Sequence, residues 1–84
     1  MNKPTFPTSC PLCGGKVEVR REEILVRGGN NAVVFVAEVG VCTRCGERFY
    51  TAETTERIFR LKQQLEAGDV HGLKQVGQLF TPVA

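Results

Sequence analysis

Two cysteine pairs constrain this chain more than any other feature. Cys10-Pro11-Leu12-Cys13 and Cys42-Thr43-Arg44-Cys45 share one spacing, and 28 residues lie between the pairs. Two residues between ligands let a tight turn bring both sulfurs to one ion, and two such turns supply four thiolates. Each pair runs into glycine, Gly14-Gly15 and Gly46. A glycine there can take positive φ, and the turn's N–H groups can then point at the sulfurs. The pattern predicts one zinc ion held by Cys10, Cys13, Cys42 and Cys45. With all four positions filled by protein, that site is structural and not catalytic. Structural disulfides and a redox Cys-x-x-Cys are the competing uses of such cysteines. A thioredoxin-like site would need one pair in a βαβ unit, which the chain does not show. An iron centre in the same cage is a third alternative, because ligand type alone does not separate iron from zinc.

A staple is what a chain of 84 residues needs. A domain this small buries only about 60–65% of its unfolded surface, so its core alone is marginal. A structural zinc site contributes folding free energy of about 10 kcal/mol or more. With 42% hydrophobic and 24% charged residues, the chain is not a disordered tail. Its longest fully apolar stretch, Ala32 to Ala37, is six residues, where a membrane span needs roughly 20. The first residues, through Pro7, have no apolar core of a signal peptide, so the expected compartment is the cytoplasm. The formal charge is +2. Four thiolates around one divalent ion take it to about zero, which does not support general attraction to nucleic acid.

The rest of the chain reads as one small α+β zinc-binding domain. Residues 1–9 carry two prolines and read as a flexible lead-in. From Lys16, Val17 and Val19 alternate against Glu18 and Arg20 as a half-buried strand, which Ile24-Leu25-Val26 continues or restarts. Arg27-Gly28-Gly29-Asn30-Asn31 is a turn. Ala32 to Val41 then puts Val33, Phe35, Ala37, Val39 and Val41 on one wholly apolar face. Residues 16–41 are therefore an antiparallel hairpin that carries the second knuckle back beside the first. Arg48-Phe49-Tyr50 can add a short strand. Thr51 is an N-cap, with Glu53 and Glu56 near the helix start; Ile58, Leu61 and Leu65 recur at helical spacing, and Gly68 stops a helix of about 15 residues. The zinc-finger domain is thus 10–68, and 69–84 is a tail. Gly72, Gly77 and Pro82 argue against a helix there, yet Val76, Leu79, Phe80 and Val83 are too apolar for a plain linker. Gln75 to Thr81 can form one strand, paired with its own sheet, a second copy or another protein.

Taken together, Cys10-Pro11-Leu12-Cys13-Gly14-Gly15, the valine-rich hairpin, Val41-Cys42-Thr43-Arg44-Cys45-Gly46-Glu47-Arg48-Phe49-Tyr50 and the helix opening at Thr51 resemble the YgiT-type (MqsA-like) zinc finger. The resemblance covers about residues 10–67. It implies that Cys10, Cys13, Cys42 and Cys45 are the zinc ligands. It further implies a role like that of a toxin–antitoxin antitoxin, whose zinc domain binds a ribonuclease of RelE-like fold. The full antitoxin also carries a helix-turn-helix domain, for which the residues after the helix leave no room. A stand-alone zinc domain is therefore expected, without direct DNA binding.

Three functional classes follow. The first is a protein-binding module that masks a toxin-like partner, with Val76, Leu79, Phe80 and Val83 as the contact residues. The second is a zinc ribbon that binds nucleic acid through Arg20, Arg21, Arg27, Arg44 and Arg48; its acidic neighbours and few stacking aromatics weigh against it. The third, an enzyme, is not expected. His71 is the only histidine and has no paired nucleophile. Adjacent Glu22 and Glu23 point to opposite faces of a strand. A homodimer is also expected, joined by an exposed valine-rich edge or by the tail.

Overall fold

The computed structural model describes residues 6–83. The fold is a small α+β unit: a three-stranded antiparallel sheet, ordered β1-β2-β3, with one helix. The strands are β1 (Val17–Gly28), β2 (Asn31–Cys42) and β3 (Arg48–Phe49), and the helix is α1 (Ala52–Glu66).

Strands β1 and β2 pair without a break from Val17 opposite Cys42 to Gly28 opposite Asn31. The loop is therefore Gly29-Asn30, and only Gly29 takes positive φ, at 56°. Glycine at the first central position is what a type II′ hairpin turn demands. The register places Ile24 opposite Phe35 and Val26 opposite Val33, on the face that α1 covers. The core is Ile24, Val26, Val39 and Val41, with Phe35, Ala37, Ile58 and Leu61 packed against it. The apolar face of β2 is thus the inward one, as its alternation predicts.

On β1 the expectation fails near the knuckles. The parity that buries Ile24 and Val26 puts Val17 and Val19 on the opposite face, away from the helix. Val19 is 55% exposed. Val17 is half-buried because Phe6 comes in from the lead-in: a Cβ on Gly40 would lie 3.0 Å from the Phe6 ring and 3.2 Å from Val17. Ser9 pairs with Lys16, and the Val17 N–H donates to the Thr8 carbonyl at 3.1 Å. Thr8 and Ser9 therefore run along the edge of β1, with Phe6 against Gly40; residues 1–5 lie outside the described range.

Helix α1 begins and ends on the predicted residues. Thr51 Oγ1 accepts from the Thr54 N–H at 3.1 Å, which satisfies one of the orphan amides of the first turn. At the other end, Gly68 has φ 74°. The Gly68 N–H donates to Leu65 O and the Asp69 N–H to Gln64 O, a Schellman closure. Leu65 is 1% exposed, and burying such a side chain stabilises by about 1.5–3 kcal/mol. The helix sits this close because β1 ends in glycine: a Cβ on Gly28 would come within 2.7 Å of Leu65 Cβ and 2.8 Å of Lys62 O. On the same face the Arg57 guanidinium lies 4.3 Å over the Phe35 ring, a cation–π contact.

The tail forms no strand at Gln75–Thr81; residues 73–83 are coil. Gly72 turns with φ 77°, and the Leu73 N–H donates to Val70 O. Gly77 interrupts the stretch that would have to extend, and Pro82, just past it, has no N–H for a ladder. Gln64 Nε2 donates to His71 O at 3.0 Å, which ties the start of the tail to the helix. No helix among the described residues is long and apolar enough to cross a membrane.

Candidate metal centre

The two knuckles share one backbone plan. In the first, the Cys10 N–H donates to Gly15 O and the Gly14 N–H to Cys10 O, both at 2.8 Å. In the second, the Cys42 N–H donates to Glu47 O at 2.9 Å and the Gly46 N–H to Cys42 O at 3.0 Å. Gly14 and Gly46 take φ of 76° and 78°, the left-handed conformation that a side chain resists. The hairpin sets the knuckles side by side. Bonds from Thr43 N and Thr43 Oγ1 to Lys16 O, and from Arg44 Nη1 to Cys13 O, then lock one against the other.

This brings together all four predicted ligands. The sulfurs of Cys10, Cys13, Cys42 and Cys45 lie within 4.8 Å of one another. Cys10 Sγ is 3.7 Å from Cys45 Sγ, and Cys13 Sγ is 3.4 Å from Cys42 Sγ. A tetrahedron with metal–sulfur arms of about 2.3 Å has edges of about 3.8 Å. The donor set and its spacing therefore fit one metal ion. The four cysteines are free thiols; a disulfide would need a sulfur separation of about 2.05 Å.

The electrostatics point the same way. The Cys45 N–H donates to Cys42 Sγ at 3.5 Å. That amide, helped by those of Arg44 and the neighbouring thiols and opposed by desolvation, pulls the Cys42 thiol down to about 6. For Cys45 the Glu47 amide also favours the thiolate. Desolvation and the sulfurs of Cys13, Cys42 and Cys10 outweigh it and push the thiol up to about 12. The Cys42 and Cys45 thiols are thus pushed in opposite directions. Ionising all four sulfurs needs a positive charge at their centre, which is what a cation supplies. The Gly15 N–H, 3.4 Å from Cys13 Sγ, adds a further dipole aimed at sulfur.

Sequence reasoning missed the second role of the glycines. A Cβ on Gly15 would lie 2.7 Å from Arg44 Cβ and 2.9 Å from Cys42 Sγ. Gly15 is there because the opposite knuckle's sulfur and side chain occupy the space, and the doubled glycine of the first knuckle was the available signal. Of the predicted partner residues, Leu79 lines a cleft at the hairpin tip with Arg27, Gly29, Asn30 and Asn31; Val76, Leu79, Phe80 and Val83 are 76, 72, 83 and 98% exposed. The arginines do not converge. Arg20 pairs with Glu18 at 3.0 Å. Arg48 makes a two-pronged pair with Glu22, at 3.0 and 3.2 Å. Arg20 and Arg21, adjacent on β1, point to opposite faces. No family model, characterised protein or solved structure matches the chain.

Proposed function

We propose that this chain is an antitoxin-like protein-binding module of the cytoplasm. One structural zinc ion in the four-cysteine site holds the small fold, and the tail neutralises a toxin-like ribonuclease of RelE-like fold by covering it. The observation that carries this reading is the exposure of Val76, Leu79, Phe80 and Val83 beside a core that closes without them. Apolar side chains clustered in one exposed segment mark an interaction site. The resemblance of the knuckles and hairpin to the YgiT-type zinc finger supplies the class of partner. Near-neutral charge after metal binding suits a protein partner better than a polyanion. The alternative, a zinc ribbon that binds nucleic acid, has less support: Arg48, Arg20 and Arg44 are engaged within the chain.

The test is capture from native cells with the metal-loaded full chain and with a chain cut after Asp69. Recovery of one stoichiometric small basic protein by the full chain alone supports the reading. Equal recovery by both would move the contact off the tail, and recovery of RNA or ribosomal components instead would favour the ribbon. Elemental analysis checks the ion; one zinc per chain is expected, and iron would overturn that assignment.

A further inference from the structure

We propose that two copies of this chain pack face to face through the side of the sheet away from α1, about a two-fold axis that crosses the strands at Leu25 and Val34. Ile24, Val26, Val39 and Val41 point toward α1. The odd-numbered residues of β1 and the even-numbered residues of β2 therefore share the other face. There the register sets Arg27 beside Ala32, Leu25 beside Val34, Glu23 beside Val36 and Arg21 beside Glu38. Leu25, Val34 and Val36 adjoin one another and are 60, 41 and 48% exposed. Adjoining apolar side chains left in water mark an interaction surface. One helix covers one face of this sheet. A second sheet, about 10 Å away, is what covers such a face in a sandwich.

The charges on that face select a second copy as the occupant. On β1, Leu25 has Arg27 two residues to one side and Glu23 two residues to the other. Charge on this strand is thus antisymmetric about Leu25. A two-fold axis along the Leu25–Val34 row lays β1 on β1 and β2 on β2 with directions reversed. Leu25 and Val34 then meet their own counterparts, and Ala32 meets Val36 of the second copy. Arg27 meets Glu23 of the second copy, and that contact is made twice. Apolar groups meet apolar groups, and these charges meet their opposites. Arg21 and Glu38 already stand opposite each other across the strands, and in the pair they come over the second copy's Gly29-Asn30 loop. The second copy's hairpin ends there, one row short of Gly40, where Phe6 lies on the same face. An axis along the strands would instead lay β1 on the second copy's β2 and press the Glu23 carboxylate onto Val36, an uncompensated burial. Leu79 lines the tip cleft with Arg27, so removing the tail is part of the test.

The pairing is independent of any partner held by the tail. The experiment is sedimentation equilibrium of the metal-loaded full chain. A dimer is expected. Glu23→Arg, at an exposed position, should raise its dissociation constant by about tenfold or more, because two opposite-charge contacts become like-charge contacts. Adding Arg27→Glu should restore the affinity by exchanging the signs, with equal metal content showing that each variant is folded. Val34→Lys should weaken the dimer independently, by setting two like charges on the axis. Cutting after Asp69 should leave the dimer intact. A monomer at all concentrations would overturn the proposal. So would a dimer that Glu23→Arg leaves unchanged, a double variant that pairs no better than Glu23→Arg, or a dimer that the cut dissolves.

Discussion

The two ends of the hairpin are held by different means. At the tip, Gly28 lets the helix settle directly on β1, and Leu65 is sealed over the turn. The stabilisation there is packing, finished by the glycine closure of the helix. At the knuckle end Val39, Val41 and Cys42 are buried, and the turns beyond them offer cysteines, glycines and polar residues. Backbone bonds fix the shape of each turn, bonds from Thr43 and Arg44 cross between the turns, and the four sulfurs meet at their centre. The core of four buried strand residues runs from Ile24 and Val26 to Val39 and Val41 and stops short of the turns; by itself it is too small to hold the fold. The difference shows how a short chain stays folded: its apolar residues pack along the hairpin and under the helix, and the turns beyond them bring four sulfurs together.

The strongest way to break that comparison is to remove one ligand. Cys42→Ser is expected to abolish ordered folding, because a metal ion bound in a four-thiolate site of this kind would supply about 10 kcal/mol or more against a total stability of about 5–15 kcal/mol. Its ¹H–¹⁵N spectrum should collapse to poor dispersion. A well-dispersed spectrum without metal would show that packing alone holds the knuckle end. A smaller effect is expected at the tip. Leu65→Ala should cost about 2–5 kcal/mol in denaturant unfolding and leave metal content unchanged. Loss of metal in that variant would mean that the two ends are not independently held.

What the sequence discloses follows the same division. Wherever a local rule decides the outcome, the residues predict it: the ligand spacing, positive φ at Gly14 and Gly46, the Thr51 cap, the Gly68 stop and the inward face of β2. The misses occur where distant segments meet. The Val17 and Val19 alternation looks inward-facing until the register with β2 fixes the parity of β1 through Ile24 and Val26. Phe6, between two prolines, gave no sign that it lies against Gly40. Glu22 reads as half of an acidic pair, and its bond to Arg48 exists only because β3 lies beside β2. Gly15 answers to the side chain and sulfur of the opposite knuckle, 27 or more residues away in the chain. The tail shows the converse: apolar residues that look ready for a strand have no interior left to enter.

The tail supplies the smallest expected effect and the sharpest form of the comparison. If stability is complete within residues 6–68, cutting after Asp69 removes Val76, Leu79, Phe80 and Val83 at almost no cost. The change in unfolding free energy should stay within about 0.5 kcal/mol, the range of surface substitutions. Urea unfolding of the metal-loaded forms measures it. The cut removes the bonds from Gln64 to His71 O and from the His71 N–H to Asp69 Oδ1, both exposed and of small net worth. A loss of 2 kcal/mol or more, roughly what one buried Leu or Phe contributes, would mean that Leu79 or Phe80 packs on the domain in solution. The tail would then belong to the fold, and a partner would have to displace it. An unchanged curve would leave those side chains with no structural role and assign their apolar surface to binding.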